Sequence, residues 1–456
     1  MASGVFDDAL IKHLFGTDEL RTIFSERNRV QKWYDFEAAL ALEQAELGII
    51  PKDAAQEIAR NAKIEKVDIE AIAAEIRRIK HPLIPALKAV EELCKDSLGE
   101  YIHFGPTTQD ILDTGTVLQL KDAHAIYLRD MKAIGQALAK LAQEHKATPM
   151  VGRSHGVQAL PITFGHKAAI WLSEMGRNYA RLRELEKRVF VGGMVGAVGT
   201  QASFGPQAPE LEERVMKRLG VGVADINWQP ARDRFAEYVC VLGLISATLG
   251  KIANEIIILE HTEIGELYEP FSAGKVGSST MPHKRNPSTC EAVVANSRAI
   301  RYNVAFMLEC MVIEHERDGS AWRGEWKALP ESCLMMGGML AMMKYVLQGL
   351  NVDVEEMRNN LDRLGGFLLS ERVMFVLSEK LGKQSAHDLV YEASMHGIEN
   401  GVTFERALMD NRQVRDALSA DELRAALDPT TYVGHAPAIV ERVLKQQRGW
   451  LESGES

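Results

Sequence analysis

The sequence predicts an all-α protein organised around long, strongly apolar helices. Three observations point there. Apolar residues recur at helical spacing through most of the 456 residues. The stretch from about Asp233 to Glu266 is apolar on nearly every face, through Val239, Val241, Leu242, Leu244, Ile245, Leu249, Ile252, Ile256, Ile257, Ile258 and Leu259. A glycine- and proline-punctuated loop, 271–287, then separates this rod from a second helical pattern that starts at Ser288. A helix with no polar face must be enclosed by other helices. At 1.5 Å per residue the rod is roughly 50 Å long, more than one subunit of this size wraps. The pattern therefore predicts a bundle shared between subunits.

Composition excludes several classes of function. Hydrophobic residues make up 46% of the chain and charged residues 25%, as in an ordinary globular protein. A net charge of −10 and the lack of a basic stripe argue against nucleic acid as partner. No run of 18 or more apolar residues appears, and the amino terminus lacks a basic-then-apolar signal. No membrane partner and a cytoplasmic location are thus expected. Cys94, Cys240, Cys290, Cys310 and Cys333 are odd in number and widely spaced, which reads as reduced core thiols. No zinc, P-loop or dinucleotide motif is present, so neither metal nor cofactor is implied.

Taken in order, residues 1–110 read as a domain of several short helices. Arg29 to Leu47 has helical spacing and stops at Gly48, with Pro51 beyond. Lys80-His81-Pro82-Leu83-Ile84-Pro85 breaks the next run, and His81 before a proline lies in extended or turn backbone. Tyr101 to Asp110 leads into a helix that runs to about His145. Thr107, Thr108 and Asp110 suit a helix cap, and free amides beside two hydroxyls also suit an anion. Gly152-Arg153-Ser154-His155-Gly156 precedes a long helix from about Thr163 to Arg188, followed by a glycine-rich turn, Gly192 to Gly205. Residues 111–351 form the central long-helix domain, whose last helix is expected after Ala328. From Val352 to the end helices are short and charged, broken at Gly365-Gly366, Gly382, Gly401 and Asp428-Pro429, which reads as a small third domain.

The loop carries the most specific signal. Gly277-Ser278-Ser279-Thr280-Met281-Pro282-His283-Lys284-Arg285-Asn286-Pro287 cannot continue a helix. Adjacent serines, a lysine and an asparagine at a glycine hinge suit a lid that brings donors onto an anion. Residue for residue, the loop resembles the signature GSSxMPxKxNP of the fumarase/aspartase superfamily. Thr107-Thr108-Gln109-Asp110 resembles that family's Thr-Ser-x-Asp motif, and Gly152-Arg153-Ser154-His155 its Gly-Arg-Thr-His motif, each with one hydroxyl residue exchanged.

The resemblance implies a three-domain subunit in a homotetramer with a central helical bundle and composite active sites. It also implies a reaction: a proton leaves the carbon beside a carboxylate, and a group is then expelled from the neighbouring carbon. Ser278 is the implied general base. His155 is the implied acid, steadied by Glu291, which stands where adenylosuccinate lyases have the glutamate partner of this histidine. Thr107, Thr108, Ser154, Gln201, Ser279, Met281, Lys284, Asn286, His81, His103 and Arg317 are the implied substrate-binding positions. Donors such as Lys284 and Asn286 each contribute about 3 kcal/mol to holding a developing aci-carboxylate if oxyanion-hole values transfer.

The stretch Glu314 to Trp326 aligns with the segment where adenylosuccinate lyases hold a nucleotide phosphate. Trp322 and Trp326 occupy the places of a serine and an arginine there, and indole cannot neutralise phosphate. At i, i+4 the two rings share one helix face. The sequence therefore predicts an anti-eliminating, fumarate-forming C–N or C–O lyase acting on a small succinyl-type polycarboxylate that is not a nucleotide. Adenylosuccinate lyase, 3-carboxy-cis,cis-muconate cycloisomerase and an inactive structural tetramer are the alternatives.

Overall fold

The computed structural model describes residues 4–271, 280–281 and 283–452. It is helical apart from three two-stranded pairings among the described residues. The principal helices are α1 (Glu26–Glu46), α2 (Ile84–Glu91), α3 (Thr108–Glu144), α4 (Phe164–Glu184), α5 (Asp233–Leu259), α6 (Ser288–Glu309) and α7 (Gly319–Gln348). β1 (Pro149–Ser154) and β2 (Val157–Thr163) are antiparallel, β3 (Val191–Gly192) and β4 (Gly222–Val223) parallel, and β5 (Leu267–Tyr268) and β6 (Asn351–Val352) antiparallel. The chain divides into two compact units. One comprises Met1–Met131, Asn178–Gly250 and Ala292–Met342, the other Lys132–Arg177, Lys251–Glu291 and Met343–Ser456.

In the first unit α1 begins three residues earlier than its apolar periodicity predicts, because the Ser25 hydroxyl accepts the Asn28 amide at 3.2 Å and caps the helix. Its buried face (Val30, Trp33, Tyr34, Phe36, Leu40) packs with Leu83, Leu87 and Val90 at α2 and with Leu211 and Val215. Tyr34 Oη donates to the Ala86 carbonyl at 2.9 Å, so the one polar atom on that ring is satisfied.

The apolar rod predicted to reach Glu266 ends at Leu259. The Glu266 amide turns back to the Leu259 carbonyl, Gly265 takes a φ of 63°, and β5 pairs with β6. Apolar periodicity could not detect this stop, since Ile264 and Leu267 continue the pattern. Ile245, Leu249, Ile252 and Ile256 of α5 are fully buried. By length and composition α5 could cross a membrane, yet 61% of that window is buried inside the fold. Gly243 and Gly250 let α6 approach closely. A Cβ at either would stand 2.6 Å from Val304 or Ser297.

The helix expected after Ala328 starts instead at Gly319 and passes through Pro330. Proline cannot donate to the carbonyl four residues back. Ser332 Oγ bonds the Ala328 carbonyl at 2.7 Å and Asn303 Nδ2 reaches Ser332 Oγ at 3.1 Å, which braces that turn. In the second unit the residues beyond Val352 form short helices around Val373, Leu377, Leu389, Phe404, Leu408 and Leu423. Ser419 and Glu422 there make a reciprocal capping box.

Candidate functional site

In the first unit the predicted hydroxyl motif opens α3, and its aspartate ties the segment down. Asp110 is buried, and its carboxylate accepts four N–H groups: Thr107 N at 2.9 Å, Val195 N at 3.1 Å, Gly196 N at 3.0 Å and Gln229 Nε2 at 3.0 Å. The start of α3 is thereby joined to the glycine-rich turn. Burial pushes this carboxyl up to about 6, against the four donors that favour its ionised form.

Arg317 converges on the same motif. Its Nη1 donates to Thr107 Oγ1 at 3.0 Å and to the Ala197 carbonyl at 3.4 Å, and its Nε to Gln109 Oε1 at 3.1 Å. His81 Nε2 lies 3.4 Å from Thr108 Oγ1. Its Nδ1 accepts the amides of Leu83 and Ile84 at 3.3 and 3.2 Å, at the start of α2. That leaves the ring proton on Nε2, pointing at the hydroxyl. Burial, then the charge of His103, lowers the His81 pKa. Burial opposes protonation of His103 too, but the Glu37 carboxylate, 2.6 Å from Nδ1, outweighs it and raises the pKa. One neutral imidazole, one imidazole favoured as cation, a guanidinium and two hydroxyls thus share this unit. Set against the carboxylates of Glu37 and Asp110, which have partners of their own, these groups offer hydrogen-bond donors suited to a carboxylate. Gln201, at a φ of 55°, spends its amide donors on Met194 O and Glu212 Oε2, at 3.1 and 2.6 Å.

Behind the motif lies a cluster that periodicity does not reveal. Arg232 is fully buried between Asp113 and Glu325. It makes bonds of 2.7 and 3.2 Å to Asp113 and of 2.9 and 2.5 Å to Glu325. Its guanidinium also stacks 5.0 Å from the Trp228 ring centroid and 5.1 Å from that of Phe235. Trp322 Nε1 donates to Asp113 Oδ1 at 2.8 Å. Trp322 is therefore core, whereas Trp326, stacked edge-on against it at 4.8 Å, is 39% exposed. The i, i+4 spacing named the shared face but not this difference in burial.

In the second unit the Gly-Arg-Ser-His segment, expected only to precede a helix, belongs to a β-hairpin. His155 and Gly156 form its two-residue tip with φ of 53° and 79°, the signs a primed turn requires. Arg153 grips the buried Glu266 through bonds of 3.0 and 2.7 Å, and Asn360 Nδ2 satisfies the same carboxylate at 2.9 Å. The arginine thus anchors the hairpin and leaves Ser154 and His155 exposed. Glu291 lies exposed in the first turn of α6. The first amides of that helix, from Thr289 and Cys290, are held by the Glu269 carboxylate at 3.3 and 2.6 Å. Within one chain His155 and Glu291 share no hydrogen bond or ion pair among the described residues. Met281 and Lys284 are exposed, as is Asn286. Ser278 and Ser279 lie outside the described residues.

Glu37, Asp113, Arg232, Glu266 and Glu325 were not foreseen. Their one local trace is a charged residue on an otherwise apolar stretch, as with Asp110 and Asp113 one turn apart.

This fold and these motifs define a lyase. Residues 15–301 match the lyase family model and residues 366–443 the model for the adenylosuccinate lyase C-terminus. The chain belongs to the fumarase/aspartase superfamily, in the branch of the adenylosuccinate lyases and 3-carboxy-cis,cis-muconate cycloisomerases, and it is an enzyme. Among particular relatives, it is 48% identical to the N-acetyl-S-(2-succino)cysteine lyase of Enterococcus italicus, over the whole of both chains. The protein of the same name from Dickeya dadantii is 47% identical, over 98% of this chain and 99% of its own. Among solved structures, a fumarate lyase from a Mesorhizobium species superposes with a TM-score of 0.89 at 38% identity, covering 94% of this chain and 98% of that one.

Proposed function

We propose that this protein eliminates fumarate from an S-(2-succinyl) thioether, releasing an N-acylated cysteine-type thiol. The single observation behind this reading is the full-length identity, 48% and 47%, to two N-acetyl-S-(2-succino)cysteine lyases. The succinyl class is the one the sequence motifs imply. Sulfur takes its place beside the amine and alcohol considered as leaving groups.

In this reading Thr107, Thr108, His81 and Arg317 hold one carboxylate of the succinyl group. Gln201 and His103 line that part of the site. Ser154, Ser279, Met281, Lys284 and Asn286 complete it, and Ser278 removes the proton from the adjacent carbon. The electron pair forms the new double bond as the C–S bond breaks and the thiolate departs. A thiol has an unperturbed pKa of about 8.5, roughly two units below that of an alkyl amine, so it leaves without full protonation. His155, with Glu291, accordingly carries less of the barrier here than it would with an amine. Indole at positions 322 and 326, in place of the serine and arginine of the adenylosuccinate lyases, disfavours a nucleotide phosphate. Exposed apolar side chains on α5, α6 and the segment after it, including Leu244, Tyr302, Leu308 and Val312, support assembly of the chain with copies of itself, in this reading a homotetramer with composite sites that works in the cytoplasm.

The test is an ultraviolet assay for fumarate with N-acetyl-S-(2-succino)cysteine and, separately, adenylosuccinate. Turnover of the thioether alone is expected. Turnover of adenylosuccinate alone would overturn the reading. Ser278→Ala should abolish turnover and leave the oligomer seen by light scattering intact, while His155→Gln should retain measurable activity.

A further inference from the structure

We propose that a cavity beside Trp326 is the subsite for the acyl-amide tail of the departing thiol; this rests on the thioether reading above. The cavity measures ≈ 100 Å³ and lies wholly within the first unit. That is smaller than the ~150 Å³ void that admits benzene, so it takes a group of a few heavy atoms. Phe24, Leu112 and Leu329 supply apolar wall.

Three side chains on the same wall are donors without acceptors. The Arg29 guanidinium makes no hydrogen bond or ion pair among the described residues, although the Glu26 charge acts on it, and neither the Trp33 nor the Trp326 indole N–H has a protein acceptor among them. Indole nitrogen and guanidinium donate only; with Trp326 39% exposed these donors meet water in the free protein, and a ligand oxygen that displaced that water would accept from them. Of the acceptors on the wall, Asp113 and Glu325 are engaged by Arg232 and Trp322, and the Thr116 hydroxyl and Gln119 amide donate onward to the Leu112 and Ile23 carbonyls.

Charge selects between the oxygens a thiol tail could offer. Asp113 and Glu325 against Arg232 leave one net negative charge, and Arg29 offsets it from the same wall although the Glu26 carboxylate also acts on that cation. A carboxylate would restore an uncompensated charge in a half-buried space, whereas a neutral acyl oxygen would not. The acyl methyl would then meet Leu112 and Leu329. Position agrees with this occupant: Pro82 and Leu112 line the cavity, next to His81 and one turn beyond Thr108 on α3.

The experiment compares kcat/KM for N-acetyl-S-(2-succino)cysteine and unacetylated S-(2-succino)cysteine in the full-length enzyme. Arg29→Gln and Trp326→Phe are measured alongside, with circular dichroism to confirm folding. The wild type should prefer the acetylated substrate. Each variant should lose about two- to tenfold of that preference, the range for one hydrogen bond, with the unacetylated substrate less affected. A wild type indifferent to acetylation, or variants that keep the full preference, would overturn the subsite while leaving the lyase reading in place. Tryptophan fluorescence titrated with N-acetylcysteine and with cysteine separates the two ideas. A response to the acetylated thiol that Trp326→Phe removes would support the subsite even if neither thioether were turned over; equal responses to both thiols would count against it.

Discussion

Replacing Arg232 by methionine is the sharpest probe of how this fold holds its candidate site. The guanidinium is fully buried and donates four hydrogen bonds, two to Asp113 and two to Glu325. Its removal leaves two buried carboxylates facing each other with no cation. Breaking one such pair costs about 3–5 kcal/mol, and uptake of a proton by one of the two acids keeps the loss from doubling. Against a total stability of about 5–15 kcal/mol for a typical domain, that is a large fraction. Arg232→Lys keeps the charge but offers three donors to four acceptor contacts and cannot fork, so about 1.5–3 kcal/mol should be lost for each charged hydrogen bond not remade. A triple change, Arg232→Met with Asp113→Leu and Glu325→Met, removes the charges together and should recover most of the single variant's loss, less the cost of stranding the Trp322 N–H. Urea unfolding followed by tryptophan fluorescence ranks the four proteins: wild type, then the lysine variant and the triple, then methionine alone. An unchanged midpoint for Arg232→Met, or a triple no better than the single, would refute the account. Because Asp113 lies one turn from Gln109, which Arg317 touches, the methionine variant should also raise KM.

Three further outcomes are expected. Glu37→Gln should lower the His103 pKa, since the carboxylate is what raises it; a ring titration by NMR that does not move would contradict this. His103 is stabilised as a cation, so its contribution to stability is present below the unfolded value of about 6.5. It fades as pH rises through the higher folded value, so the gap between wild type and Glu37→Gln should shrink on going alkaline. Asp110→Asn presents an amide NH₂ to at least one pair of N–H donors, an unsatisfied arrangement costing about 1–3 kcal/mol per group. Released constraint on Thr107 should appear mainly as a higher KM, and a change confined to kcat would argue against a positioning role. Ser278→Ala and His155→Gln, already described, should differ, with the serine variant the more severely impaired on a thioether.

The legible part of this protein was local. Apolar spacing marked α1, α3, α4 and α5, because a helix repeats its face every three to four residues and writes that repeat into neighbouring positions. The loop from Gly277 to Pro287 and the two hydroxyl-bearing motifs declared the family by the order of their residues, and the Trp322–Trp326 spacing placed both rings on one face. What tertiary structure decided was partnership. Asp110 finds Val195, Gly196 and Gln229; Arg232 finds Asp113 and Glu325; His103 finds Glu37; Arg153 finds Glu266. None of these pairs is encoded at helical spacing, because a buried charge is matched by whichever segment packs against it, often a hundred residues away. The same holds where helices stop. α5 ends at Leu259 although its pattern runs on, since Glu266 is drawn off to hold the hairpin that carries His155. The residue types and their order named the chemistry; only the packed chain could say which charges face each other, and so which of those residues are held in place.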